Sequence, residues 1–155
     1  MKKDAGAFHP GDLDYIHSVE RISKLSNVIS INGGVQLDLM GQENAESAGT
    51  RQLSGIGGQM DFLEGAFRSK GGKGFICINS SRVTKDGERK SNIIATIPGG
   101  STVSAPRTMI QYVATEYGVV SLSGKTLRER AEAMASIAHP DFREELLKYA
   151  RDTFK

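Results

Sequence analysis

Three glycines stand within four residues near the middle of the chain, at Gly55, Gly57 and Gly58. Glycine inside a helix or strand costs about 0.5–1 kcal/mol relative to alanine, so the cluster indicates a backbone with positive φ or a close approach to a ligand. Apolar residues then recur at positions 60, 63 and 67, which predicts a helix. The N-terminus of such a helix can bind a phosphate, a carboxylate or a developing oxyanion. A tight turn without any ligand explains the glycines equally well.

The common nucleotide-binding motifs do not fit this segment. The pattern G-x-G-x-x-G requires glycine at position 60, which is Met60. A P-loop ending at Lys73 would need glycine in place of Phe67 and Ser or Thr in place of Gly74. Mononucleotide and dinucleotide binding are therefore disfavoured, and an acyl or oxyanion site stays open.

Five polar side chains elsewhere can do chemistry. Glu116 ends an apolar strand, where it can act as a base, a nucleophile or a substrate-binding group, or simply pair with an arginine. Asn44, in a polar loop, can hydrogen-bond an oxyanion or only shape a turn. Arg107 can clamp a carboxylate or phosphate, and Lys70 and Lys73 can meet a diphosphate, although all three also suit a solvated surface.

Histidine and cysteine usage indicates no metal site. His9, His17 and His139 lie far apart without ligand spacing, and His139 before Pro140 is predicted to cap a helix. The single Cys77 lies in an apolar run, which predicts a buried structural thiol in a reducing cytosol and excludes a disulfide framework.

Length and composition suit one domain with its own core. The chain has 155 residues and a net charge of +2, without a basic, aromatic-rich cluster, so nucleic acid is not an expected partner. We see neither a signal peptide nor an apolar run long enough to cross a membrane, so a cytoplasmic location is expected.

The pattern of elements is mixed α and β. We predict a short helix over residues 15–25, a hairpin over 28–39 with its turn at Asn32-Gly33-Gly34, and a helix over roughly 58–68. A strand over 74–83 is predicted to pair with a return strand over 91–97, followed by strands at 112–115 and 119–122. Thr126 and Glu129 form a capping box before a helix, and Pro140 opens a second one.

The chain resembles the C-terminal part of the acetyl-CoA hydrolase/transferase family, which includes 4-hydroxybutyrate and succinyl-CoA:acetate CoA-transferases. The resemblance runs from about residue 28 to the end and depends on several blocks in the same order. These blocks are residues 30–32 with 37–39, 41–47 (GQENAES), 54–62 (SGIGGQMDF), 69–73 (SKGGK), 115–119 (TEYGV), 128–131 (RERA) and 138–143 (AHPDFR).

The resemblance implies an α/β fold, an open mixed sheet flanked by helices, of the CoA-transferase kind. It also implies thioester exchange through an enzyme glutamyl-CoA intermediate, with coenzyme A as part of the acyl-CoA substrate and no metal. Backbone N–H groups of Gly57 and Gly58 would form part of the oxyanion hole. Asn44 would contact the acyl or thioester group, and Glu116 would be an auxiliary carboxylate. Residues expected to contact substrate or CoA are Gly55, Gln59, Lys70, Lys73 and Arg107.

The chain departs from the family in one respect. The nucleophilic glutamate of these relatives lies in a His-Thr-Glu segment upstream of the matched region, whereas Thr115-Glu116 aligns with a later block. We therefore expect an irregular arm and short helix over 1–27 and a C-terminal CoA-transferase domain over 28–155, inactive without a nucleophile-bearing N-terminal domain or a homo-oligomer partner. An acyl-CoA hydrolase domain and a non-catalytic acyl-CoA binding module are the alternatives.

Overall fold

The computed structural model describes Gly6 and residues 10–155. These residues form five helices and eleven strands. In chain order they are α1 (Leu13–Ile16), α2 (Val19–Lys24), β1 (Ile29–Gly33), β2 (Gln36–Asp38), β3 (Glu43–Asn44), β4 (Ser47–Ala48), β5 (Arg51–Gln52), α3 (Gln59–Arg68), β6 (Lys73–Cys77), β7 (Ser81–Val83), β8 (Arg89–Ser91), β9 (Ile93–Ile94), β10 (Tyr112–Thr115), β11 (Gly118–Ser121), α4 (Leu127–Ser136) and α5 (Pro140–Thr153).

A four-stranded mixed sheet in the order β1-β6-β10-β11 organises the molecule. The first three strands are parallel, and β11 returns antiparallel to β10. Helix α3 connects β1 to β6, as expected for a crossover between parallel strands. The predicted α/β fold with an open mixed sheet is confirmed.

One face of this sheet, here called the inner face, packs against α3 and the core. Ser30, Gly74, Ile76 and Val113 alternate onto the inner face and are buried. A side chain added at Gly74 would come within 3.0 Å of Leu63 of α3, so this glycine lets the helix lie close to the sheet. The core then continues through Leu37, Leu39, Ile93, Leu122, Met134, Ala135 and Leu146.

Three smaller sheets are formed by the segments that connect the strands of the main sheet. Strand β2 pairs antiparallel with β3 and parallel with β9, whereas β4-β5 and β7-β8 form two-stranded ladders. The β7-β8 turn contains Gly87 at φ +81, a conformation that glycine adopts without strain.

The two C-terminal helices begin at the predicted caps. Thr126 and Glu129 form the capping box of α4, and the His139 side chain accepts a hydrogen bond from the Asp141 backbone N–H at 3.3 Å. Pro140 is the first residue of α5, where its missing N–H has no cost. None of the helices in the described part of the chain is long and apolar enough to span a membrane.

The predicted hairpin over residues 28–39 is wrong. Strand β1 pairs with β6 in the main sheet, whereas β2 belongs to the second sheet. A two-residue hairpin turn needs positive φ at its first central residue, and neither Gly33 nor Gly34 has it. The glycines therefore carry the chain from one sheet to the other.

Three further expectations need correction. The predicted strand over 74–83 is two strands, β6 and β7, in different sheets. Its predicted return strand over 91–97 contains only the last residue of β8, which pairs with β7, and β9, which pairs with β2. Cys77 is exposed rather than buried, because it alternates onto the side of β6 opposite the core. The helix predicted over 15–25 is two helices, α1 and α2, separated at His17 and Ser18. Most of the predicted N-terminal arm, with His9, lies outside the described residues.

Candidate active site

The carboxyl ends of the three parallel strands meet at one edge of the main sheet. Strand β1 ends at Gly33, β6 at Cys77 and β10 at Thr115. Since α3 runs back from this edge to the start of β6, its N-terminus lies at the same edge. A shallow hollow opens there, lined by Gly34, Cys77, Ile78, Asn79, Ala114 and Thr115. Open α/β sheets bind their ligands at this edge.

The glycine loop leads into α3 as predicted. Gly57 has φ +60, which glycine adopts without strain, and Gly58 is the N-cap of the helix. Neither Gly57 nor Gly58 donates its N–H to another described backbone carbonyl. Two N–H groups at the positive end of a helix dipole are thus available to an anion.

His17 packs against this loop. A Cβ at Gly58 would collide with the His17 imidazole, so glycine is required there for space. The ring also lies 3.2 Å from a carboxylate oxygen of Asp61 and stacks edge-on against Phe62. The sequence pattern had no signal for this contact, because His17 and Gly58 belong to separate elements.

Glu116 lies in the turn between β10 and β11, at the same edge of the sheet. Its carboxylate accepts hydrogen bonds from the Ser80 backbone N–H at 2.9 Å and from the Ser80 hydroxyl at 2.6 Å. Partial burial acts to raise the pKa of Glu116, but these hydrogen bonds outweigh it and lower the pKa below its usual value. The carboxylate is therefore held ionised by Ser80 rather than by an arginine.

Asn44 is fully buried and its side chain shapes its own turn. Its Oδ1 accepts from the backbone N–H groups of Glu46 at 3.1 Å and Ser47 at 2.9 Å, and its Nδ2 donates to the Ser47 carbonyl at 2.8 Å. The turn role of Asn44 is thus observed. A contact between Asn44 and a thioester stays a prediction.

Glu43 is a buried carboxyl that the sequence reasoning missed. It is fully buried, its Oε2 accepts a hydrogen bond from Gln59, and its Oε1 has no partner among the described residues. Burial raises the pKa of Glu43 to about 8, although the Gln59 hydrogen bond opposes this shift. Because Gln59 is the first residue of α3, this pair fixes the start of the helix to the second sheet.

The basic residues predicted to contact CoA do not lie together at the carboxyl edge of the main sheet. Lys70 follows α3 and Lys73 starts β6, so both lie at the opposite edge, roughly 15 Å along the helix from Gly58. Arg107 is exposed, with Nη1 3.5 Å from the Met40 sulfur. Any contact of these residues with CoA stays a prediction. Glu116 follows β10 at the carboxyl edge, whereas Gly57 and Gly58 line a separate hollow at the start of α3, together with His17 and Asp61.

The architecture is that of an open α/β domain whose ligand site is expected at the carboxyl ends of its strands. The family model described as "Acetyl-CoA hydrolase/transferase C-terminal domain" matches residues 3–150. The chain therefore belongs to the acetyl-CoA hydrolase/transferase family, as its C-terminal domain.

Individual relatives agree with this assignment. The chain is 47% identical over 142 residues to 4-hydroxybutyrate coenzyme A transferase of Clostridium kluyveri, covering 92% of this chain and 32% of the relative. It is 46% identical over 138 residues to butyryl-CoA:acetate CoA-transferase of Anaerostipes caccae, covering 89% and 31%. The crystal structure of RipA from Yersinia pestis superposes with a TM-score of 0.79 at 41% identity, covering 90% of this chain and 30% of RipA. The chain thus spans about a third of the length of these relatives.

Proposed function

We propose that this chain forms one wall of an acyl-CoA:carboxylate CoA-transferase site, completed by an upstream part of the enzyme. The observation that supports the proposal is the orientation of α3, whose start carries two glycine N–H groups without a described backbone acceptor on the side of the sheet where β10 leads into the ionised Glu116. The similarity to CoA-transferases supports the same reaction class.

In the proposed reaction, a glutamate outside this chain attacks the thioester carbonyl of an acyl-CoA. The carbonyl oxygen becomes an oxyanion, which the N–H groups of Gly57 and Gly58 stabilise. Collapse of this intermediate breaks the C–S bond and leaves an acyl–glutamyl anhydride and the CoA thiolate. The thiolate then attacks the glutamyl carbonyl, which releases the carboxylate product and leaves glutamyl-CoA. An incoming carboxylate collects the CoA by the reverse of these steps.

Glu116 is proposed to act as an auxiliary carboxylate beside the reacting centre. Because Ser80 keeps its pKa low, Glu116 stays an anion at neutral pH and can accept hydrogen bonds from substrate, but it is a weak proton donor. Gly55 and Gln59 shape the glycine loop from either side. Arg107, Lys70 and Lys73 are proposed CoA contacts. Because Lys70 and Lys73 lie at the opposite edge of the sheet, a second part of the enzyme would have to direct the bound CoA across the domain to reach them.

A chimera tests this function. The C-terminal region of the A. caccae relative that matches this chain is replaced by the 155 residues, and CoA transfer from butyryl-CoA to acetate is measured. We expect transfer by the chimera and none by the isolated chain. Thioester loss that does not depend on acetate would identify a hydrolase. Acyl-CoA binding by a well-folded chimera without turnover would identify a binding module.

A further inference from the structure

The main sheet has a second, outer face that carries mostly apolar side chains. Ile29 and Ile31 of β1 alternate opposite the buried Ser30, and Phe75 and Tyr112 lie beside them in register on β6 and β10. Ile29 is 52% exposed and Ile31 is 68% exposed, whereas Phe75 and Tyr112 stack on each other and are half-buried. We define the outer face as Ile29, Ile31, Phe75, Cys77, Tyr112, Ala114 and Val119.

The exposure of the outer face is unusual for a sheet in which most strands are parallel. Sheets of parallel strands are normally covered on both faces, whereas antiparallel sheets often leave one face to water. Here three of four strands are parallel, and α3 covers only the inner face. The outer face also ends at β1, an edge strand whose free N–H and C=O groups can pair with a further strand.

We propose that the outer face is the docking surface for the part of a CoA-transferase polypeptide that precedes this domain. The inference builds on the proposed function, since it assigns the surface through which that upstream part joins the site.

Two observations favour this occupant. The chain accounts for 31–32% of the length of its relatives, so most of their polypeptide lies outside the matched region. The outer face is continuous with the hollow at the carboxyl edge, because Cys77 and Ala114 belong to both. A segment that covers the face therefore also reaches the edge where Glu116 lies.

The chemistry of the face suits a permanent contact within one enzyme. These seven side chains are uncharged, and one charged side chain, Lys73, alternates onto the same side of β6 beside Ile29. Large exposed apolar patches of this kind mark interaction surfaces, and obligate interfaces are the more apolar ones. A second copy of the chain would cover the face as well, but it would bring no upstream part to the cleft.

Cys77 provides a direct probe, since it is the single cysteine of the chain, is exposed and lies on the outer face. The labelling rate of Cys77 by a maleimide is measured by peptide mass spectrometry in the isolated chain and in the chimera described above. We expect labelling to be at least tenfold slower in the chimera. An equal rate would overturn the proposal.

A pair of lysine substitutions separates docking from folding. Ile31→Lys places a charge on the outer face, whereas Val83→Lys places one on β7, at a residue that is 58% exposed and belongs to another sheet. Both variants of the isolated chain should unfold at the wild-type temperature. In the chimera, only Ile31→Lys should lower the unfolding temperature and raise the Cys77 labelling rate toward that of the isolated chain. Equal behaviour of the two chimeras would contradict the proposal.

Three further results would show which proposal has failed. An isolated chain that is a dimer, labels more slowly at high concentration and becomes monomeric with Ile31→Lys would assign the face to a second copy. A chimera that transfers CoA while Cys77 stays accessible would overturn the docking surface and leave the function standing. Protection of Cys77 in a chimera without transfer would support the surface and overturn the function.

Discussion

Two adjacent glycines of the loop before α3 are required for different reasons. Gly57 adopts positive φ, a conformation that costs other residues roughly 1 kcal/mol or more, but a side chain there would meet open space. Gly58 has φ −90, which any residue adopts, yet the His17 imidazole occupies the position of its missing side chain. The constraint at Gly57 is therefore one of backbone conformation, and the constraint at Gly58 is one of space.

Replacing Gly58 with valine should abolish CoA transfer by the chimera. The branched side chain would block approach to the N–H groups, and losing one oxyanion contact costs about 100-fold or more in kcat. The matched control is Gly99→Ala, since Gly99 lies outside the glycine loop, has open space around it and has no positive φ. A double variant with His17→Ala relieves the collision, and it should regain stability but not activity. Normal transfer by Gly58→Val would remove the loop from the oxyanion hole.

A second residue-scale feature is the buried carboxyl of Glu43. Its pKa is about 8 in the folded chain against an ordinary value of 4.5, so between these values the folded state binds a proton that the unfolded state releases. Stability falls with rising pH wherever the folded state binds more protons. We therefore expect the free energy of unfolding to decrease from about pH 4.5 to about pH 8, by up to roughly 1.4 kcal/mol per pH unit.

Glu43→Gln should remove this pH dependence, because an amide keeps the contact with Gln59 but does not titrate in this range. Urea unfolding at several pH values between 5 and 8 measures the effect. Glu144→Gln, at an exposed position on α5, is the control and should retain the wild-type slope. A wild-type slope in Glu43→Gln would mean that Glu43 is ionised in the folded chain.

At the scale of elements, one guanidinium joins three loops to α4. Arg130 donates from Nε to the Met40 carbonyl at 2.7 Å, and from its two Nη atoms to the carbonyls of Leu122 and Arg107, each at 2.8 Å. Burial lowers the pKa of Arg130 from its usual value. Without this side chain, three carbonyl groups that converge on one buried position lose their partners.

Arg130→Ala should lower the free energy of unfolding by about 3 kcal/mol, since hydrogen bonds to a charged group contribute roughly 1.5–3 kcal/mol each and part of the loss is regained from water. Arg128→Ala on the same helix is the control. Arg128 is exposed and pairs with Glu132 at 3.1 Å, so its loss should cost less than about 0.5 kcal/mol. Denaturant unfolding compares the two variants, and similar losses would show that Arg130 does not hold the loops.

Patterns of residues close together in the chain predicted the positions of helices and strands better than they predicted which strands pair. The capping box at Thr126, the cap at His139 and the start of α3 follow from residues close together in the chain, and all three are observed. The hairpin over 28–39 was wrong because the pairing of β1 is decided by β6, more than 40 residues away. Alternation of apolar residues identifies a strand but does not name its neighbour.

At the scale of the whole molecule, the proposed mechanism takes its nucleophilic glutamate from outside this chain. Glu116 is a carboxylate at the carboxyl edge of the main sheet, and its hydrogen bonds to Ser80 occupy both of its oxygens. Hydrogen bonds of this kind weaken a carboxylate as a nucleophile, because they stabilise its negative charge and lower its pKa. The whole site is therefore expected to need a second part of the enzyme.

Intact mass spectrometry after incubation with an acyl-CoA tests this expectation. The isolated chain should show no CoA-sized covalent adduct. In the chimera, an adduct should form and map by peptide digestion to the upstream part. An adduct on Glu116 of the isolated chain would instead make this carboxylate the nucleophile and the chain an enzyme by itself. Glu116→Gln is the control, since it would abolish an adduct on Glu116 alone.

The sequence by itself determined the family, the mixed α/β class and the glycine loop ahead of α3, because these depend on residue types at short and regular spacings. Only the tertiary structure decided that His17 fills the space above Gly58, that Glu43 is buried against Gln59 and that Cys77 lies on an exposed sheet face. Each of these results depends on which distant segments pack together. That packing depends on how the whole core is buried, and a local pattern of residues does not determine it.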